Sequence, residues 1–347
     1  MIEQAKTLKD IARLAHVSTA TVSMALNNRP GVGEEKRREI LKIAKNNGYQ
    51  PNLLAKALIS KRSFTLGLII NNISDQFYTE LAKGIEETAK KLGYDIMLCS
   101  TNGDVQAQKR YLELMRSRGV DGIIISTMLA KDPDIGSLVK EGIPFVCLNR
   151  VPLNRQFAES IDYVTLDNFS AGYKGIEHLW KLGHDRIGII RGDLKASNAQ
   201  AIRDGAEQAL ADYGAVLEPA LIRDGRYSRG IAQEEMKALM KLEKPPSAIF
   251  AHDDDMALAA REVILSMGLS IHEDMALMGI DDIEMGALTG VELSTISQKK
   301  YEMGEIGVKT VVKRIEEHTQ HMVEKVMLKA DLVIRKSCGF SKSGYKR

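Results

Sequence analysis

The 347-residue chain is poor in cysteine and has neither a long apolar run nor an apolar leader, and each shortage removes a class of function. Its three cysteines, Cys99, Cys147 and Cys338, lie far apart with no CxxC pair. This argues against a disulfide framework or a cysteine-built zinc site and suits a reducing compartment. No run of about 18 apolar residues occurs, so no transmembrane helix is expected. The N-terminus MIEQAKTLKDIARLA is charged where a secretion signal needs an apolar stretch. A cytoplasmic protein with no membrane partner is the expectation. No glycine-rich fingerprint follows a strand-like run, so neither a Rossmann dinucleotide site nor a P-loop is supported. No Ser/His/Asp or Cys/His set has supporting context, so no enzyme is expected. His252 stands beside acids but lacks the spaced partners of a metal site. No metal and no cofactor are expected.

What is present is ordinary for a globular protein, with 44% hydrophobic and 27% charged residues. The length suggests two or three domains. The net charge of +2 hides an asymmetry. Residues 1–65 hold 12 Lys and Arg against 5 acids, a net +7, which leaves −5 on the remainder. A small basic head on an acidic body points to a polyanion-binding head, with a solvated basic surface as the alternative.

Residues 7–47 read as three short helices. Leu8, Ile11, Ala12 and Ala15 recur at helical spacing. Ser18 is placed to cap a second helix over 19–26 that turns Val22, Ala25 and Leu26 inward. A loop, NNRPG, leads to a third helix near 34–46 with Ile40, Leu41 and Ala44 inside, stopped by Gly48. Pro51 precedes a segment, 52–59, too short to be a stable helix alone.

From Thr65 apolar runs alternate with helical stretches. Strands are expected at 66–70, 95–99, 122–126, 145–149, 186–190, 248–251 and 275–280. Helices are expected at 77–92, 105–118, 170–183, 199–213, 230–242 and 254–267. This order implies parallel sheets covered on both faces. Two doubly wound lobes with a cleft between them account for the length, with ligands at the carboxyl ends of the strands.

TLKDIARLAHVSTATVSMALNN (7–28) has helix-turn-helix spacing. Here the chain resembles the LacI/GalR (lactose/galactose repressor) family of bacterial transcriptional regulators. The resemblance runs on through VGEEKRREILKIAKNNGYQPNLLAKALISKRS, LGLIINNISDQFYTELAKGIEE, GVDGIII, LGHDRIGII, HDDDMALAA and ALMGIDD, almost the whole chain. It implies an all-α head followed by two periplasmic-binding-protein-like lobes joined by crossover strands. The implied divisions are 1–50 for the head, 51–62 for a hinge helix and linker, 63–340 for the core and 341–347 for a tail. The first lobe would take 63–163 and 294–325, the second 164–293 and 326–340.

The resemblance also implies roles. Thr19, Ala20 and Met24 match positions that face base edges. Thr7, Lys9, Ser18, Thr21, Ser23, Asn27, Arg37, Tyr49 and Asn52 match or adjoin backbone contacts; capping, packing or a solvated face is the competing role for several of them. Lys56 and Leu58 match a minor-groove cation and an apolar wedge. Ala20 and Met24 are not long polar readers, so discrimination must lean on Thr19, van der Waals contact and DNA deformation. Gly33 stands where relatives usually carry a capping Ser.

In the body, Phe77 and Tyr78 match an aromatic cleft position, where a ring stacks on a sugar. Arg150, Asp253 and Asp281 end strands at the cleft, and Asp167 marks a crossing between lobes. Asp254 precedes a helix and could instead be its cap. Many relatives carry an arginine three residues before a glycine, facing the effector. Here that place is Ile202, with Arg203 beside it. The implied protein is a homodimeric repressor of carbohydrate or sugar-acid genes, bound to double-stranded operator DNA and controlled by a small-molecule effector. A nucleobase or other metabolite is the alternative effector. A solute-binding protein for transport is the rival class, opposed by the basic head.

Overall fold

The computed structural model describes residues 7–26, 29–49, 62–153, 157–317 and 321–340. The chain divides into two compact units, Met1–Ser63 and Phe64–Arg347. In the first, α1 (Leu8–Leu14), α2 (Thr19–Leu26) and α3 (Glu34–Asn46) enclose Ile11, Ala15, Val22, Ala25, Ile40 and Ala44. Ser18 caps α2 as expected, its Oγ accepting the Thr21 N–H at 3.0 Å. Gly33 begins α3 with no side-chain cap bond. Leu41 was expected inside and is 43% exposed. The buried stripe of α3 runs through Ile40, Ile43 and Ala44, and Leu41 lies off that face.

The second unit contains two six-stranded sheets among the described residues. The first has the order β11-β5-β4-β3-β1-β2, all parallel, from β1 (Thr65–Ile70), β2 (Asp95–Ser100), β3 (Gly122–Ile125), β4 (Phe145–Leu148), β5 (Asp162–Leu166) and β11 (Lys325–Leu328). The second has the order β12-β10-β9-β8-β6-β7, from β6 (Ile187–Arg191), β7 (Ile222–Asp224), β8 (Ala248–Ala251), β9 (Ala276–Asp281), β10 (Ser294–Ser297) and β12 (Asp331–Val333). Only β12 is antiparallel. The two orders are equivalent, so each lobe reverses direction beside its first strand and opens a crevice there. No helix among the described residues is long and apolar enough to cross a membrane.

The helices are α4 (Gln76–Lys91), α5 (Val105–Arg118), α6 (Ile135–Glu141), α7 (Asn168–Lys181), α8 (Ser197–Asp212), α9 (Arg229–Met240), α10 (Asp254–Ser266) and α11 (Lys300–Glu317). The chain crosses between lobes after β5, between β10 and α11, and between β11 and β12. This moves the expected lobe boundaries. Residues 162–166 pair wholly within the first sheet, past the boundary set at 163. Residues 294–297, expected in the first lobe, pair with β9 and β12 in the second. STIS carries no apolar run, so nothing local marked it as a strand.

Helix pairs meet where glycines let backbones touch. A Cβ on Gly172 of α7 would fall 1.9 Å from the Ile202 carbonyl oxygen of α8, and one on Gly205 would fall 2.0 Å from that of Phe169. Gly205→Ala must therefore force α7 and α8 apart. Overpacking of this kind costs about 1–3 kcal/mol, so a thermal melt should show Tm lower by several degrees with the fold retained. An unchanged Tm would contradict the close approach.

Candidate functional site

In the head, α2 turns Val22 and Ala25 into the core and leaves Thr19 and Ala20 exposed, with Thr21, Ser23 and Met24 half-buried. The expected base-facing positions thus share an outward surface. Several expected phosphate contacts already have protein partners. Thr7 forms a capping box with Asp10: its Oγ1 accepts the Asp10 N–H at 3.3 Å, and its own N–H and hydroxyl donate to the Asp10 carboxylate at 3.0 and 2.7 Å. The Ser18 and Thr21 hydroxyls lie 2.9 Å apart. Arg37, 15% exposed at its side chain, pairs with Glu34 and donates to the Arg29 carbonyl at 2.7 Å, so it braces the loop before α3. Tyr49 packs half-buried on the head core, and Lys9 is exposed. Asn27, Asn52, Lys56 and Leu58, and the tail 341–347, lie outside the described residues.

In the body, the strand ends of both lobes converge on one chamber. Phe77, Tyr78, Arg150, Asp253 and Asp281 all line it, and so do Asp75, Tyr227, His252 and Gln298. A neighbouring hollow of about 120 Å³ shares Asn71, Arg150 and Tyr227 with it. Two expected residues are elsewhere. Asp167 caps α7, accepting the Ser170 N–H at 3.0 Å, and faces an adjoining groove with Tyr163, Phe169 and Ala201. Arg203 turns to Asp204 and Glu207 on the surface of α8, because its position on the helix points away from buried Ile202. The departure seen at Ile202 is therefore real: no arginine of α8 lines the chamber.

Two further roles differ from expectation. Asp253, not Asp254, caps α10, accepting the Met256 N–H at 2.6 Å. Asp254 is fully buried and accepts the Thr295 hydroxyl at 2.6 Å and the Ile283 N–H at 3.0 Å. It ties α10 to β10 and to the loop that follows Asp281. Burial pushes its proton affinity up, to about 6. Tyr78 is held in the core, edge-on to Phe77 at 5.0 Å, with its hydroxyl donating to the Ser126 carbonyl. Phe77, Tyr78 and Tyr227 all contribute ring atoms to the chamber lining.

The chamber is strained and under-bonded. Asn149, Tyr227 and Asp281 have φ of 63°, 57° and 131°. Non-glycine residues in this region cluster at functional sites. Tyr227 fits only because Gly192 has no side chain; a Cβ there would fall 2.1 Å from the Tyr227 ring. The Arg150 guanidinium, from the first lobe, lies 5.4 Å from the Tyr227 ring centre, from the second. Asn149 Oδ1, Arg150 Nε, the Tyr227 hydroxyl, both His252 ring nitrogens and Gln298 Oε1 are buried with no hydrogen-bond partner among the described residues. Buried polar atoms rarely stay unpaired, so the cluster describes a surface shaped for a polar ligand. Burial pushes the His252 imidazolium down to about 3, so the ring is neutral. Burial raises Asp75, Asp253 and Asp281; the neighbouring Asp255 adds to the rise of Asp75, Asp75 to that of Asp253, and Asp253, Asp254 and Asp75 to that of Asp281.

Tyr227 and Gln298 follow β7 and β10, IRD and STIS, whose sequences carry no apolar run to mark a strand. His252, which by sequence offers only an isolated metal-ligand type, lines the chamber. Among the described residues no group of three His, Cys, Asp or Glu is arranged for a metal.

Two family profiles match the chain. One, described as bacterial regulatory proteins of the lacI family, matches residues 7–52. The other, periplasmic binding proteins and sugar binding domain of the LacI family, matches residues 63–336. The chain is 31% identical over 335 residues to the HTH-type transcriptional regulator DegA of Bacillus subtilis, covering 95% of this chain and 97% of the relative. It is 30% identical to the ribose operon repressor of Haemophilus influenzae, with 95% and 98% covered. The HTH-type transcriptional repressor PurR of Aliivibrio salmonicida is 29% identical, again with 95% and 98% covered. Among solved structures, a complex of the transcriptional regulator CelR with cellobiose superposes with TM-score 0.73 at 25% identity, covering 96% of this chain and 100% of that one. The lac repressor dimer bound to operator and the anti-inducer ONPF shares the fold, with TM-score 0.84, 24% identity and 96% and 98% covered. With a helix-turn-helix head, two doubly wound lobes and a polar chamber between them, the chain belongs to the LacI family of bacterial regulatory proteins, the ligand-responsive DNA-binding repressors.

Proposed function

We propose that the protein is a cytoplasmic homodimer that represses genes of carbohydrate metabolism, and that a small polyhydroxylated effector between the lobes sets its operator affinity. The observation that carries this is the set of unpartnered polar atoms in the chamber, drawn from both lobes. A ligand that satisfies them couples the lobes to each other. Hydroxyl groups suit them because each can donate and accept. Two heads per dimer would read two half-sites, the usual logic of helix-turn-helix regulators. Asn52, Lys56 and Leu58 are proposed to carry the signal into the minor groove. A nucleobase is the second reading; the Phe77 ring in the chamber favours it.

The test pairs a thermal-shift screen of sugars, sugar derivatives and nucleobases with fluorescence anisotropy on a labelled fragment of the native promoter. A compound that raises Tm should also change DNA affinity, by about 5–150-fold, the usual size of allosteric coupling. Compounds that stabilise the body without moving DNA affinity would refute ligand control.

A further inference from the structure

The chamber is lined by more acidic side chains than basic ones. Its described lining has three carboxylates, Asp75, Asp253 and Asp281, and one guanidinium, Arg150. Lys300 stands behind Asp281, 3% exposed, but its ammonium is held by the carbonyls of Asp281 and Asp282 and by Glu80 at 3.0 Å. Arg191 and Arg203 are near enough to His252 to oppose its protonation, yet they pair with Asp224 and with Asp204 and Glu207. Asp255, the next acid, is matched by Arg229 at 3.0 Å.

Each of the three carboxylates gives Oδ1 to the protein. Asp75 accepts the Phe77 N–H at 2.9 Å, Asp253 the Met256 N–H at 2.6 Å and Asp281 the Gln298 amide at 2.7 Å. Among the described residues no donor meets Oδ2 of any of them. An acidic cluster alone has no direction, since burial can simply protonate it. His252 supplies an independent one. It is 1% exposed, lines the same chamber, and has neither ring nitrogen bonded. A neutral ring in that state calls for a ligand that both donates and accepts. A neutral polyol would meet His252 but leave the carboxylates uncompensated in a closed, low-dielectric space. A sugar acid would add to the repulsion.

We propose that the effector is an aminopolyol, a hydroxylated molecule with a protonated amine, whose ammonium faces the three carboxylates and whose hydroxyls meet His252 and Gln298. This rests on the chamber being the effector site, as proposed above.

The test uses the full chain, in phosphate buffer, with matched sets on one skeleton: glucose, glucosamine and gluconate; galactose, galactosamine and galactonate; and pentaerythritol with Tris. Calorimetry reads binding and promoter-fragment anisotropy reads DNA affinity. In at least one set the amino member should bind tenfold or more tighter than its neutral parent and should change DNA affinity, while the acids fail to bind. Asp253→Asn, which keeps a good helix cap, should erase the preference for the amine, and Asp281→Asn should do the same. Equal or tighter binding of a neutral or acidic member overturns the proposal, and if that member also shifts DNA affinity, ligand control still stands. Failure of every amine to bind overturns it too. Amine binding with unchanged DNA affinity in all sets overturns the effector role itself.

Discussion

A chain beginning at Phe64 will lose operator binding altogether while remaining folded and able to take its effector. Residues 1–63 and 64–347 are separate compact units, each with its own core. The first carries 12 basic and 5 acidic residues, and the rest of the chain is acidic. Removing it removes the outward face of α2 and reverses the sign of the molecule toward DNA. Affinity from phosphate contacts depends on released counterions, so full-chain binding should fall roughly a thousandfold or more between 50 and 200 mM salt for six to ten such contacts. The shortened chain should show no salt-dependent binding over that range. Anisotropy on the promoter fragment measures both, and a thermal melt checks that the body is intact. Residual operator binding by the shortened chain would mean that the lobes themselves contact DNA.

The head was legible almost to the residue because its signals are local. Ser18, the helical spacing of Val22 and Ala25, and the stop at Gly48 act within one or two turns. Central strands were legible for the same reason: GIII and AIFA are fully buried and read as continuous apolar runs. The strands that were missed are short, lie at sheet edges or crossings, or are polar, as in STIS and IRD. Their strandedness comes from pairing with partners distant in sequence. The chamber divides similarly. Asp253 and Asp281 end recognisable strands and were found. Tyr227 is placed by left-handed backbone and by the space over Gly192, neither of which leaves a periodic trace. Arg203 shows the converse: the right residue type one position along a helix faces the wrong way.

Asp281→Asn will weaken effector binding by one to two orders of magnitude and yet make the body more stable at neutral pH. Asp281 ends β9 with φ 131°, a backbone strain that aspartate and asparagine, equal in size and branching, carry alike. The variant's amide oxygen can still accept from Gln298, so the exchange removes a charge and little else. A hydrogen bond to a charged group contributes about 1.5–3 kcal/mol, which is about 10–100-fold in affinity. Stability moves the other way. Burial, then the nearby Asp253, Asp254 and Asp75, raise the Asp281 carboxyl well above its ordinary range. A carboxyl whose folded pKa lies above its unfolded value holds its proton more tightly in the folded state. Stability therefore falls as pH rises from the unfolded value through the folded one, and the full cost applies above it. The asparagine variant has no charge to bury. Its Tm advantage should be absent in acid, near about pH 3, grow as the pH rises, and level off above the folded pKa. Calorimetric titration and melts across that range measure the two effects. Equal melting temperatures at the alkaline end would show that Asp281 is already compensated within the protein, and undiminished effector affinity would remove it from the binding site.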